Sequence, residues 1–310
     1  MLTKEATNRV DAGLYAAFFM SINASIISRG VAGSFDNEAV AIWALTNTFY
    51  LWIKACNTGS ILWSIACTLN YFYMAASWGG YSFIINIIPV FVLGCIFINR
   101  FNMKIYIAYS IFYTFGSLMA MLITFVNWQV MRSSEHMISH LTFVAMNAFM
   151  LVVLIKRNLD ETQFAAVMRL ITFLIGLAFV ALLLFLTMHA NKWSGRVISL
   201  IDPDWAKDNM PLVASVSEHA PAMWVNYWQD MSVMLLFVPL GFYYTLVHKL
   251  THGKLFIAMY GVFCVYFSCA MIRLMLVLAP AVCVLAGIGV SHITSSALKS
   301  MRLAFTGYYE

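Results

Sequence analysis

LFIAMYGVFCVYFSCAMIRLMLVLAPAVCVLAGIGV, residues 255–290, is an apolar run whose one charged residue is Arg273. As a single helix it would be about 54 Å long, whereas the apolar core of a bilayer is about 30 Å thick. The run is therefore too long for one membrane crossing. It predicts two membrane-spanning helices that turn back near Ser268–Arg273.

The composition of the whole chain is that of a membrane protein. Of its 310 residues, 62% are hydrophobic and only 10% are charged, whereas soluble chains carry about 25% charged residues. The net charge of +5 is small, and basic residues held at one membrane face explain it. We therefore expect contact with the lipid bilayer and no nucleic-acid partner.

Further apolar runs of membrane-spanning length follow one another along the chain. They cover residues 12–28, 39–55, 60–77, 80–98, 103–127, 138–155, 166–188, 231–247, 255–271 and 274–292. The sequence predicts an all-α, polytopic membrane protein with about ten transmembrane helices. The interval 189–230 carries prolines and acids and predicts a long loop, and such loops are usually functional or disordered.

The distribution of charge orients the predicted helices. With an even number of crossings, one set of loops holds twelve of the 18 Lys and Arg residues. This set is predicted to face the cytosol, because cytoplasmic loops carry an excess of basic residues. Four polar segments then meet on the opposite face: residues 28–38, 132–136, 215–219 and Arg273.

Asp36 and Glu38 are candidate metal ligands. Two carboxylates two residues apart can reach one hard cation, and oxygen ligands suit Mg²⁺ or Mn²⁺. The alternative is structural: Asp36 caps the helix that begins at Ala39, and Glu38 favours its positive end.

Arg29 and Glu218 are the next candidates. Two glycines between Arg29 and Asp36 would let the backbone fold so that the arginine approaches the acids; alternatively, Arg29 extends to lipid headgroups. The segment SVSEH (215–219) could bring a third carboxylate, that of Glu218, to the same face, or it is simply a polar loop.

Arg273 lies between two apolar runs, where an ionisable residue suggests function. Its guanidinium can bind phosphate oxygens through two hydrogen bonds, or it can lie at a tight turn and reach the membrane surface. Carboxylates, a metal and an isolated arginine at one face suit a phosphate-bearing lipid, because the cations would neutralise the charge of a phosphate leaving group.

Several stretches of the chain resemble one known family nearly end to end. They are SRGVAGSFDNEAVAIWAL, YLWIKACNTGS, WGGYSFIINIIP, SSEHM, SLIDPDWAKDNMPLVASVSEHAP and RLMLVLAPAVCVLAGIGVS. In these stretches the chain closely resembles the catalytic subunit of the eukaryotic oligosaccharyltransferase. The blocks around DNE and SVSEH carry the most specific part of the resemblance.

The resemblance implies a glycosyltransferase. Such enzymes transfer a preassembled oligosaccharide from dolichyl pyrophosphate to the Asn of Asn-x-Ser/Thr sequons in nascent polypeptides, at the luminal face of the endoplasmic reticulum membrane and alongside other subunits. Asp36 and Glu38 match ligands of the family's Mn²⁺ or Mg²⁺ site. Glu218 matches the carboxylate that holds the acceptor Asn, Arg29 an arginine needed for activity, and Arg273 the arginine that binds the donor pyrophosphate.

Residues 1–310 are expected to be a partial transmembrane catalytic domain. The family's first luminal acidic loop and its C-terminal luminal globular domain, with a W-W-D sequence, have no match here. One alternative is therefore a non-catalytic fragment or assembly subunit of the same complex. Another is a transporter for a lipid-linked sugar, which the clustering of charge at one face and the lack of an internal repeat disfavour.

Overall fold

The computed structural model describes residues 1–158, 207–247 and 249–306. Within these ranges the regular structure is helical and no strand occurs, as the apolar runs predict. The predicted helix at 166–188 and the part of the predicted loop up to residue 206 lie outside the described residues.

The structure describes fourteen α-helices in these ranges. They are α1 (Leu2–Thr7), α2 (Val10–Ile22), α3 (Ala24–Gly30), α4 (Asn37–Thr58), α5 (Ile61–Ser77), α6 (Tyr81–Phe97), α7 (Met103–Met121), α8 (Gln129–Arg132), α9 (Met137–Asn158), α10 (Pro211–Ala214), α11 (Trp224–Met231), α12 (Met234–Val247), α13 (His252–Ala270) and α14 (Met275–Thr306). The described residues also contain three single 3₁₀ turns, at Ser134–His136, Ser217–His219 and Ile272–Leu274.

The predicted turn within the long apolar run is confirmed. Helix α13 ends at Ala270, a 3₁₀ turn covers Ile272–Leu274, and α14 begins at Met275. The two helices pack against each other, and the buried Tyr260 hydroxyl donates a hydrogen bond of 2.7 Å to the carbonyl oxygen of Val277. Arg273 therefore lies at the tip of a helical hairpin.

Fewer helices meet the requirements for membrane crossing than the sequence predicts. Among the described residues three are long and apolar enough, Ser134–Lys156, His252–Ala270 and Ile272–Phe305. Two bent pairs, α2 with α3 at 54° and α11 with α12 at 91°, raise the number to five. The apolar runs at 39–55, 60–77, 80–98 and 103–127 do form helices, but the prediction of about ten spans is not confirmed.

Helix α14 is the centre of the bundle. The apolar window of this helix is 89% buried, and α2 and α12 pack along it. At Gly241 of α12 the backbones approach so closely that a Cβ atom would lie 1.8 Å from the carbonyl oxygen of Leu285. Small residues commonly permit such approaches between membrane helices, where packing replaces the hydrophobic effect.

Charged side chains lie at both ends of the bundle. Glu38 lies in the first turn of α4, and Asn57 in its last turn, about 28 Å away at the helical rise. Near Asn57, the Lys104 ammonium donates to the Asn57 carbonyl at 2.9 Å, and the Asn57 amide donates to the Glu5 carboxylate at 3.1 Å. Glu38 and Lys104 thus lie at opposite ends of the bundle, as the charge distribution predicts.

Candidate functional site

The centre of the candidate site is the carboxylate of Glu38. Its side chain is 0% exposed and lies between two arginines. Arg273 binds Oε1 through Nη2 at 2.5 Å and through Nε at 2.7 Å. On the other side, Nε of Arg29 lies 3.4 Å from Oε2. A carboxylate without water requires such partners, because an unpaired buried charge is very costly.

Arg29 extends this cluster to Glu218. Its Nη2 donates to Oε1 of Glu218 at 2.7 Å. The side chains of Arg29, Glu218 and Arg273 are 28%, 41% and 34% exposed. Solvent is therefore excluded from Glu38 but reaches the carboxylate of Glu218. We call Glu218, Arg29, Glu38 and Arg273 the ion-pair cluster; its four formal charges sum to zero.

A tight turn brings Arg29 to the start of α4. The Ser34 N–H donates to the carbonyl of Val31 at 3.0 Å, and the Asp36 N–H donates to the carbonyl of Arg29 at 3.4 Å. Gly33 has φ +92°, a left-handed conformation that glycine adopts without strain. Of the two alternatives that the sequence leaves open for Arg29, the structure has the one in which the backbone folds so that the arginine approaches the acids.

Backbone hydrogen bonds fix Glu218 next to Arg273. Glu218 lies in the 3₁₀ turn Ser217–His219. Just after it, the Ala222 N–H donates to the carbonyl of Cys269 at 3.3 Å, and the Ile272 N–H donates to the carbonyl of Ala220 at 3.0 Å. The loop and the tip of the helical hairpin are therefore joined. No side-chain pattern predicts these bonds, since both partners are main-chain groups.

Asp36 lies beside the ion-pair cluster and caps α4. Its carboxylate accepts a hydrogen bond of 2.7 Å from the N–H of Asn37, the structural role considered for it from sequence. The side chain is exposed, and its charge acts on the guanidinium of Arg29. A carboxylate that caps a helix can still offer its second oxygen to a cation.

The described residues supply part of a metal site. They contain no group of three or more His, Cys, Asp and Glu side chains placed to hold an ion. Asp36 and Glu38 nevertheless provide the hard oxygen ligands that Mg²⁺ and Mn²⁺ prefer, and Oε2 of Glu38 is buried without a hydrogen-bond partner. The two carboxylates therefore fit as two ligands of such an ion, which would need further oxygen ligands.

Two other polar segments lie at this end. The ring of Trp78 lies 5.9 Å from the guanidinium carbon of Arg273, close enough for a cation–π contact. The Ser133 hydroxyl accepts a hydrogen bond of 3.1 Å from the Glu135 N–H, which is the capping role that the sequence of residues 132–136 also allows. Glu135 borders the groove described next.

An apolar groove of about 320 Å³ begins next to the ion-pair cluster. Leu274, the neighbour of Arg273, is one of its lining residues, and Glu135 and Ser134 supply polar groups. Aromatic and aliphatic side chains of α6, α9 and α13 form most of the remaining wall, among them Phe83, Ile87, Ile138, Phe263 and Phe267. The sequence gives no sign of this groove, because its residues look like ordinary lipid-facing positions.

Helices of membrane-spanning length and a buried carboxylate held by two arginines define a membrane-embedded protein with a charged site at one end. A family model described as "Oligosaccharyl transferase STT3, N-terminal" matches residues 1–286. The chain belongs to this family.

Curated relatives have the same family name. The chain is 41% identical over 292 residues to the dolichyl-diphosphooligosaccharide–protein glycosyltransferase subunit STT3 of Dictyostelium discoideum, covering 94% of this chain and 41% of that protein. It is 42% identical over 315 residues to subunit STT3A of Oryza sativa subsp. japonica, covering 100% and 40%. The chain thus spans about two fifths of the length of these relatives.

Solved structures share the fold. The archaeal oligosaccharyltransferase AglB from Archaeoglobus fulgidus, in complex with an inhibitory peptide and a dolichol-phosphate, superposes with a TM-score of 0.72 at 14% identity. The match covers 98% of this chain and 38% of that one. The apo form of the oligosaccharyltransferase from the same organism gives a TM-score of 0.69 at 14% identity. This similarity establishes the arrangement of helices.

Proposed function

We propose that this chain is the central membrane part of an oligosaccharyltransferase catalytic subunit. It would help to transfer a preassembled oligosaccharide from dolichyl pyrophosphate to the Asn side chain of Asn-x-Ser/Thr sequons. One observation carries this proposal. Arg273 and Arg29 both bind the buried carboxylate of Glu38, and Arg29 also binds Glu218.

Arg273 is proposed to bind the donor pyrophosphate. Its guanidinium is 34% exposed although it holds Glu38, so part of the planar fork is open to a phosphate oxygen. Such bidentate contacts are strong and directional. The groove next to Leu274 is apolar and of a size to receive isoprene units of the donor lipid. A donor lying there would present its phosphates to Arg273.

Glu218 is proposed to bind the acceptor amide. Its carboxylate is 41% exposed and is held from one side by Arg29. An amide nitrogen is a poor nucleophile because its lone pair is delocalised into the carbonyl. A carboxylate that accepts hydrogen bonds from the NH₂ group orients it and weakens that delocalisation, so Glu218 would contribute by position and charge. Arg29 would hold Glu218 in place.

Asp36 and Glu38 are proposed to contribute two oxygen ligands to a Mn²⁺ or Mg²⁺ ion. Such an ion would stabilise the negative charge that develops on the departing pyrophosphate. Because Glu38 also holds Arg273, the carboxylate would position both positive groups on the same side of the donor. The exposed Asp36 would keep its capping bond to Asn37.

We further propose that the ion-pair cluster faces the lumen of the endoplasmic reticulum. The excess of basic residues at the opposite end supports this orientation. In the same arrangement about ten helices would cross the membrane, and other subunits of the complex would bind the chain. The predicted loop at 189–230 would lie on the luminal side, although its described part contains α10 and most of α11.

A transfer assay tests the proposal. The chain, purified with any bound subunits, is incubated with lipid-linked oligosaccharide, a fluorescent sequon peptide and Mn²⁺, and the glycopeptide is measured by mass. We expect transfer with the native chain and a loss of about 100-fold or more for Glu218→Gln, a change on the scale seen when one charge-stabilising group is removed. A peptide with Gln in place of the sequon Asn is the control.

A second candidate is a non-catalytic part of the same complex. It is favoured because the described residues contain no group of three His, Cys, Asp or Glu side chains placed to hold a metal ion. It predicts no transfer by the purified chain, together with copurification of other subunits. Transfer that is lost in Glu218→Gln supports catalysis; no transfer at saturating donor, peptide and Mn²⁺ overturns it. Movement of the donor across vesicles without transfer would instead indicate a transporter.

A further inference from the structure

A second polar site lies at the end of the bundle opposite the ion-pair cluster. It is a cavity of about 130 Å³ lined by Thr7, Arg9, Ala12, Tyr244, Lys254, Ile288 and His292. His292 lies about 26 Å along α14 from Met275, the first residue of the helix, at a rise of about 1.5 Å per residue. Met275 is close to Arg273 in the sequence. That distance is close to the thickness of the bilayer core, so the cavity lies at the depth of the other membrane surface.

The charges around this cavity are unbalanced. Its lining residues, all in the described part of the chain, include Arg9 and Lys254 but no Asp or Glu. The two cations repel each other across the cavity. The ammonium of Lys254 has one described hydrogen bond, to the carbonyl of Lys249 at 3.3 Å, which leaves donor capacity for a further acceptor.

The nearest carboxylate, Asp11, is already engaged. Its two oxygens accept hydrogen bonds from Nε and Nη2 of Arg9 at 3.2 and 2.5 Å, and Oδ2 also accepts from the Ser291 hydroxyl at 2.6 Å. These bonds fix the guanidinium and leave Nη1 on its other side, 3.3 Å from Nδ1 of His292. The Nη2 of Arg9 also donates to the Ser291 carbonyl and to the Ser295 hydroxyl. Asp11 therefore holds Arg9 in place and compensates its charge, whereas Lys254 has no carboxylate among the residues that line the cavity.

The imidazole of His292 is also held rigidly. Its ring stacks on Tyr244 with centroids 4.2 Å apart and planes inclined by 8°. Ile288 and Ala12, both nearly fully buried, form apolar parts of the cavity wall. The cavity thus combines fixed cationic donors with apolar walls, and its volume exceeds that of four water molecules at about 30 Å³ each.

We propose that this cavity binds the phosphate group of an anionic ligand, with Lys254 and Arg9 as its charged donors. A phosphate would satisfy Lys254, separate the two like charges and accept hydrogen bonds at short range. A phospholipid headgroup at this membrane surface and a free phosphate compound share this chemistry. This site is independent of the transfer reaction proposed above.

The 310-residue chain, purified in detergent micelles, tests the proposal with fluorescent phosphatidic acid as the probe. We expect saturable binding that Lys254→Gln weakens about tenfold, the scale of one hydrogen bond to a charged group, and that Lys254→Arg retains. Lys299→Gln is the matched control, since Lys299 is exposed near the end of α14 and the substitution removes the same charge. Thermal unfolding checks that each variant is folded.

Competition distinguishes the two sources of phosphate. If inorganic phosphate and glycerol 3-phosphate fail to displace the probe while unlabelled phosphatidic acid does, the ligand is a lipid headgroup. Displacement by inorganic phosphate identifies a site for free phosphate compounds. Equal binding by the native chain and Lys254→Gln, or an equal loss in Lys299→Gln, overturns the proposal, because the charge of the whole surface would then account for the binding.

Discussion

Replacing Arg273 with alanine removes the closest partner of a carboxylate that has no contact with solvent. Glu38 is 0% exposed and, of its two partners in the described part of the chain, would keep Arg29, at 3.4 Å. Breaking a buried ion pair usually costs about 3–5 kcal/mol, since it leaves an uncompensated charge. Because Arg29 remains and Arg273 is itself 34% exposed, we expect a loss at the lower end of this range, about 3 kcal/mol.

Denaturant-induced unfolding of the detergent-solubilised chain measures this loss. The double variant Glu38→Gln with Arg273→Ala removes both charges and should be about 2 kcal/mol more stable than Arg273→Ala alone, a coupling typical of residues in contact. Arg132→Ala, an exposed arginine outside the ion-pair cluster, should change the free energy of unfolding by no more than about 0.5 kcal/mol. The reasoning is refuted if Arg273→Ala costs less than about 1 kcal/mol and the double variant shows no recovery.

Three further predictions follow from the same geometry. Gly241→Val should lower the free energy of unfolding by about 3 kcal/mol or prevent folding, since its Cβ would overlap the carbonyl of Leu285 and overpacking costs on this scale; an unchanged unfolding curve contradicts the close helix crossing. Arg29→Gln should release the loop of Glu218, so that limited proteolysis within residues 215–222 becomes severalfold faster, and a cleavage rate equal to that of the native chain would show that Arg29 does not hold the loop. Asp36→Ala should cost about 1 kcal/mol by loss of the helix cap, whereas Asp36→Asn keeps the cap and should lower Mn²⁺-dependent transfer alone; full transfer by Asp36→Asn excludes Asp36 as a metal ligand.

The sequence predicts the helical hairpin and the grouping of charges well, for a clear physical reason. An apolar run of about 54 Å cannot stay straight in a core of about 30 Å, and Arg273 is the one charged group at which it can turn. The distribution of basic residues among the loops places Glu38 and Arg273 at one end, and in the structure their side chains are 2.5 Å apart.

The number of spans and the details of contact exceed what the sequence can predict. Hydropathy treats each helix as surrounded by lipid, but α4 is surrounded largely by protein and carries buried Glu38 as well as Lys54. Such a helix need not be uniformly apolar, so hydropathy alone does not decide whether it crosses the membrane. The bond from Ile272 to Ala220 and the cavity beside Lys254 depend on three-dimensional packing and leave no periodic signal.

The ion-pair cluster also bears on how the chain is made. Its two strongest links join residues 235 and 189 positions apart in sequence. At a synthesis rate of about 5–20 residues per second, Glu38 would leave the ribosome about 10 to 50 s before Arg273 exists. During that interval the first helices hold a carboxylate whose principal partner is not yet synthesised. During synthesis, therefore, water, the insertion machinery or a chaperone must solvate or cover the carboxylate of Glu38 until Arg273 is available.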